Sequence, residues 1–250
     1  MKSHAILPFV ALVVYLGTQS EGSAKTIGNP FPSFTVPPAT GSFRLIACDS
    51  SGNCSGTSNE GIQVQFPPDL ATQTINRGTN SAKGTINYNP SLFSSSVSAR
   101  LDGYPGSVDY VLFTYFFGFG YPPGVTGEIG AAVTANIQTS GKVSGGPSSS
   151  AQVRIFPQFQ FNNTIFSDYA CTATCPDGTL KGSFSDAKNL HFYENTIYVI
   201  QMTIGLSFSN STEPRTLATA SIDPIVTVDP RIASQFQLVV SPNLAPLRQH

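Results

Sequence analysis

The sequence predicts an all-β protein, an antiparallel β-sandwich of jelly-roll-like form in a single domain. Three observations predict it. Apolar residues alternate with polar ones at period two in segment after segment, clusters of Gly, Pro, Asn and Asp separate those segments, and no segment carries a convincing 3.6-residue period. Ten or more short strands without helices close into a sandwich or a barrel. No repeat at solenoid or propeller periods interrupts the pattern.

The alternation can be followed along the chain. Phe43, Leu45 and Ala47 alternate with Arg44 and Ile46, and Ile62, Val64 and Phe66 with Gln63 and Gln65. Val153, Ile155, Phe159 and Phe161 share one side of a strand, with Arg154, Gln158 and Gln160 on the other. The longest run sets Tyr198, Ile200, Met202, Ile204, Leu206 and Phe208 against Val199, Gln201, Thr203, Gly205 and Ser207, and Phe236, Leu238 and Val240 repeat the motif. Asn59-Glu60-Gly61, Asn76-Arg77-Gly78, Leu101-Asp102-Gly103 and Pro176-Asp177-Gly178 have turn chemistry. Gly141 to Ser150 reads as a surface loop within the domain, and Ser185 to Asn195 as the one stretch with room for a helical turn.

The N-terminus sets the compartment. Lys2 precedes an apolar run from Ala5 to Gly17, followed by Gly22 and Ala24 at the −3 and −1 positions of a signal-peptidase site. Cleavage is expected between Ala24 and Lys25. Thirteen apolar residues are too few to cross a bilayer, which takes roughly 20, and no later stretch is apolar enough, so no membrane span remains after cleavage. The expected organisation is a signal peptide over 1–24, an extended proline-rich lead-in over 25–41 and the sandwich over 42–245, with the protein secreted to the extracellular space. Charge is sparse and nearly balanced, 13 Lys+Arg against 14 Asp+Glu in 250 residues. That scatter excludes a nucleic-acid footprint and leaves solubility to Ser, Thr, Asn and Gln.

Four cysteines form two local pairs, Cys48 with Cys54 and Cys171 with Cys175. In an oxidising compartment they read as two short disulfide loops. Each contributes about 2 kcal/mol on the chain-entropy model, enough to pin a loop tip but not to hold the fold. A four-cysteine zinc site is the weaker alternative, since C-x5-C is wide for a knuckle. Asp49-Ser50-Ser51-Gly52-Asn53 offers oxygen ligands but lacks the alternating acids of a calcium loop, and reads as a disulfide-closed turn. No cofactor or metal is expected.

Catalytic residues are hard to assign. His4 leaves with the signal peptide and His250 is the last residue, so His191 alone could serve as a base within the body, and no G-x-S-x-G elbow accompanies it. A glycosidase needs two carboxyl groups about 5–10 Å apart. Residues i and i+2 of one strand, about 7 Å apart, would supply them, but no E-x-D, E-x-E or D-x-D occurs. A pair drawn from separate strands stays open. The most unusual segment is Asp109 to Tyr121, DYVLFTYFFGFGY, which places Phe113, Tyr115, Phe117 and Phe119 on one strand face, with Tyr121 beyond. It reads first as a buried central strand, and alternatively as an aromatic contact strand for sugar rings or a partner. Three N-x-S/T triplets begin at Asn53, Asn162 and Asn210.

The segment Leu217 to Leu244 resembles the closing part of bacterial exported proteins that carry the PEP-CTERM sorting signal. The resemblance rests on Ala218, Ala220, Ser221, Asp223, Pro224, Asp229, Pro230, Ser241 and Pro242. The Pro-Glu-Pro motif, hydrophobic helix and basic tail of that group do not follow; the chain stops at Pro246-Leu247-Arg248-Gln249-His250. The resemblance implies a released protein of the extracellular polysaccharide matrix and assigns no catalytic residue. The function expected is therefore a non-enzymatic β-sandwich of the matrix or cell envelope, acting by adhesion or contact with polysaccharide or another envelope protein. The alternatives are a polysaccharide-active enzyme with carboxylates from separate strands, and a self-assembling surface subunit that donates residues 25–41 as a strand.

Overall fold

A computed structural model describes residues 36–62, 70–89, 94–103, 106–121, 125, 130–208, 217–222, 225–231 and 234–242. The expected signal peptide, its expected cleavage site between Ala24 and Lys25 and most of the expected lead-in lie outside the described residues. Fourteen strands and no helix occur among them: β1 (Thr40–Cys48), β2 (Cys54–Ile62), β3 (Leu70–Arg77), β4 (Asn80–Asn89), β5 (Ser94–Asp102), β6 (Gly106–Gly120), β7 (Ala132–Ser144), β8 (Ser150–Pro157), β9 (Phe166–Cys171), β10 (Ser183–Tyr193), β11 (Ile197–Phe208), β12 (Leu217–Ile222), β13 (Ile225–Val228) and β14 (Gln237–Val240).

These strands build two antiparallel seven-stranded sheets packed face to face, the jelly-roll-like sandwich expected. The first runs β2-β1-β6-β11-β8-β9, with β14 also on β6. The second runs β10-β7-β12-β5-β4-β3, with β13 joining β5 and β7. The chain crosses between sheets at most connections, so sequence neighbours such as β5 and β6 face each other across the core. β9 ends the first sheet and β10 ends the second, and the two lie together on one side of the sandwich.

The core is aromatic and aliphatic. Phe43 and Leu45 of β1, Val111, Phe113, Tyr115 and Phe117 of β6, and Tyr198, Ile200, Met202 and Ile204 of β11 meet Ala82 and Ile86 of β4, Val97 and Leu101 of β5 and Ile137 of β7. The sheets approach closely at Gly84, where a Cβ would stand 2.6 Å from Val111 Cγ2 and 2.7 Å from Phe43 Cδ1. The Phe117 ring packs on Phe192, Tyr198 and Phe119 with centroids 5.3, 5.5 and 5.9 Å away.

Several expectations need correction. Val36 and Ala39 are buried and β1 begins at Thr40, so the sandwich starts within the segment assigned to the lead-in. Asn59-Glu60-Gly61 is no turn. It lies inside β2, where the pairing jumps from Phe43↔Asn59 to Gly41↔Ile62, a bulge. Ser185 to Asn195 holds no helical turn, because Ser183 to Tyr193 pairs with β7 over eleven consecutive residues. Gly141 to Ser144 belongs to β7, and the loop opens only at Gly145 and Gly146, both with positive φ.

Candidate functional site

Both expected disulfides are present, Cys48–Cys54 and Cys171–Cys175, and no described cysteine is free. Such bonds persist in an oxidising compartment. The first closes the Asp49–Asn53 turn, whose carboxylate Oδ1 accepts the backbone N–H groups of Ser51 and Asn53 at 2.9 Å each. Its other oxygen lies 3.3 Å from Arg77 Nε. The second disulfide closes a hairpin around Pro176-Asp177-Gly178, held by Cys175 N–H to Thr179 O at 2.7 Å.

β6 is the buried central strand of the first reading, and the alternative of an aromatic contact strand is overturned. Phe113, Tyr115, Phe117, Phe119 and Tyr121 are each at most 5% exposed. Their face of β6 points at the second sheet, so they form core and are inaccessible to a sugar. His191 lies on the exposed side of β10, with Nδ1 3.1 Å from the Thr134 hydroxyl. Strand alternation sets it opposite the side of β10 that carries Asp186 and Lys188.

The site that the fold does build lies where the edges of the two sheets meet. A cleft of about 400 Å³ runs between β9 and β10 and under the disulfide hairpin. β9 contributes Asp168 and Tyr169, the hairpin Asp177 and Lys181, and β10 Asp186 and Lys188. Ser167, Ser183 and Ser185 also line it. Three carboxylates and two ammonium groups thus converge in a chain that has few charges. Lys188 Nζ stands 2.7 Å from Asp186 Oδ2 and 5.2 Å above the Phe166 ring, and Lys181 Nζ is 3.8 Å from Asp177 Oδ2.

These carboxylates differ electrostatically. Burial pushes the Asp168 carboxyl above the ordinary aspartate value, and the charge on Asp186 adds to this. The Tyr169 N–H and the two lysines act the other way without reversing it. The hydrogen bond from Lys188 holds Asp186 below the ordinary value, and the Thr179 hydroxyl, donating at 2.6 Å, does the same for Asp177. The lining residues fall within 167–188, but the sequence does not show that β9 and β10 end different sheets whose edges meet around a cleft. Among the described residues no group of three or more His, Cys, Asp or Glu could hold a metal ion.

A second concavity, about 450 Å³, lies on the outer face of the first sheet. There β6 bulges, its pairing with both β1 and β11 slipping around Asp109. Gly205 and three serines leave space over Tyr110 and Arg44.

The loop from Gln158 to Ile165, between β8 and β9, was expected to continue the strand with Phe159 and Phe161 inward. Instead β8 ends at Pro157 and the two rings stand in solvent, 83% and 62% exposed. The Asn162 triplet is exposed on the same loop, Asn53 is exposed on its own turn, and Asn210 lies outside the described residues.

No protein-family model and no curated protein matches the chain. Some solved structures share its sandwich arrangement distantly. A carbohydrate-binding module in complex with β-1,4-galactotriose is 9% identical, with TM-score 0.34, covering 66% of this chain and 91% of its own. A structure from the carbohydrate-binding modules of the β-sandwich superfamily is 14% identical, with TM-score 0.26, covering 73% and 71%. The infectious bursal disease virus Gx strain structure is 10% identical, with TM-score 0.22, covering 82% and 68%. Likeness this distant transfers no ligand and no residue role.

Proposed function

We propose that the protein is a secreted, non-enzymatic β-sandwich of the extracellular matrix or cell envelope that contacts polysaccharide through the cleft between β9 and β10. The observation that carries this reading is the convergence of Asp168, Asp177, Asp186, Lys181 and Lys188 in one open concavity. Sugar hydroxyls both donate and accept. Carboxylates that accept and ammonium groups that donate, facing one space, form the complementary set. Charged side chains also protect terminal strands from edge-to-edge pairing, but protection does not require them to converge on a cavity. Its volume falls in the range of small-molecule sites, roughly 300–1,000 Å³. The apolar N-terminal run and the PEP-CTERM-like segment support export to a polysaccharide matrix.

The test is retention of the purified protein on immobilised galactan, glucan, xylan, chitin and alginate. At least one should retain it, and Asp186→Ala should lose most of that retention with Tm nearly unchanged. Passage through all five, or retention indifferent to Asp168→Asn, Asp186→Ala and Lys188→Ala alike, would sink the reading.

One observation favours a second reading, a polysaccharide-active enzyme. Asp168 and Asp186 come from separate strands into one cleft with their titrations pushed apart, the pattern of a general acid beside an ionised carboxylate. Release of new reducing or unsaturated ends from the retained polysaccharide, abolished by Asp168→Asn, would establish it.

A further inference from the structure

The backbone of Phe159 is in the left-handed region, at φ +65°. Among the described residues only one other non-glycine shares a positive φ, Asn195 at +59°. An asparagine tolerates that conformation; a bulky aromatic does so only under constraint. The constraint is visible. Gln158 N–H donates to Ile197 O at 2.8 Å, Gln160 N–H to Pro157 O at 3.1 Å, Asn163 N–H to Gln160 O at 2.8 Å and Ile165 N–H to Ile155 O at 2.9 Å. Arg154 Nη2 donates to Phe161 O at 3.0 Å and to the Thr164 hydroxyl at 2.9 Å. Phe161 leans on the buried Phe156 ring, centroids 5.3 Å apart. The loop backbone is therefore pinned, and it presents the Phe159 ring to water. Neither burial nor turn chemistry accounts for phenylalanine at this position.

We propose that Phe159 and Phe161 form an aromatic platform that stacks on the apolar faces of pyranose rings, a carbohydrate subsite separate from the charged cleft. The proposal rests on the polysaccharide reading and extends it. Chemistry selects the occupant. Residues 158–164 read QFQFNNT, rings interleaved with neutral amides and without a charge or an aliphatic side chain. Rings meet the C–H face of a sugar while amides pair with its hydroxyls. An anionic bilayer would call for lysine or arginine at the tip, and a protein core contact for aliphatic neighbours. The loop leads directly into β9, whose Ser167, Asp168 and Tyr169 line the cleft, so one extended chain can reach both sites. Exposed Tyr193 ends β10 four residues before Ile197, the residue to which Gln158 is tied, and so lies at the same end of the sandwich.

Two variants test the platform. Phe159→Asn keeps the left-handed backbone at lower strain. It should raise Tm by about 2–4 °C while weakening retention on the polysaccharide that holds the wild type by about five- to tenfold. Phe159→Trp introduces the chain's first tryptophan, and its emission should shift blue and saturate with a hexasaccharide of that polysaccharide. If Phe159→Asn binds like the wild type while Asp186→Ala does not, the platform is wrong and the cleft stands. If Phe159→Asn loses binding while the cleft variants keep it, the platform stands and the cleft reading fails. Lowered Tm in Phe159→Asn, no retention of the wild type on any polysaccharide, or a tryptophan shift with phosphatidylglycerol vesicles and not with sugar would each overturn the proposal.

Discussion

Asp168 is half-buried on β9, and burial raises its carboxyl above the unfolded value of 3.8. The folded chain then keeps a proton that the unfolded chain has already lost, so this group's contribution to stability falls as pH rises through that window. Asp168→Asn removes the penalised charge. It should raise Tm at pH 7, and the gain should disappear below about pH 4, which a thermal melt series checks. Asp49, Asp177, Asp186 and Asp229 behave oppositely. Hydrogen bonds hold each below 3.8, Asp229 down to about 2 through Arg231. Their stabilisation is full above the unfolded value and is lost as pH falls from about 4 toward 2. These carboxylates all reach solvent, so the acid loss of Tm should shrink in 1 M salt.

Strands carry the rest of the account. The long alternation of β11 was legible in the sequence, and Tyr198, Ile200, Met202, Ile204 and Leu206 are all buried. In β6 both faces are apolar, so alternation defines two faces without saying which one meets the second sheet; the structure buries Phe113, Tyr115, Phe117 and Phe119 and leaves Tyr110, Leu112 and Phe116 half-covered. β10 escaped detection because it is terminal, with only Phe184 and Phe192 buried among eleven residues. The Phe159–Phe161 reversal escaped because strand parity persists in the sequence past Pro157, where pairing stops. Acids at i and i+2 share one strand, whereas Asp168 and Asp186 line the same cleft from two. Two predictions belong to this scale. Gly84→Ala forces a methyl between the sheets and should cost about 1–3 kcal/mol in chemical denaturation. Cys171→Ser with Cys175→Ser should cost at most about 2 kcal/mol, since the loop is short, yet should weaken polysaccharide retention more than Gly84→Ala does, because the hairpin carries Asp177 and Lys181 into the cleft.

For the molecule as a whole, the sandwich separates stability from recognition. The core lies between the sheets and is aromatic, while the charged cleft and the exposed rings sit at one edge and one end, on terminal strands and the loop between β8 and β9. The outer-face concavity at Arg44 and Tyr110 is the rival location for a ligand. The decisive measurement is an NMR titration of the isotope-labelled protein with an oligosaccharide of the polysaccharide that retains it. Amide shifts should group on Ser167 to Tyr169, Asp177 to Lys181 and Ser183 to Lys188, with a further set on Gln158 to Thr164 where the sugar reaches the exposed rings. Shifts centred on Arg44, Tyr110 and Gly205, or none at saturating sugar, would contradict it.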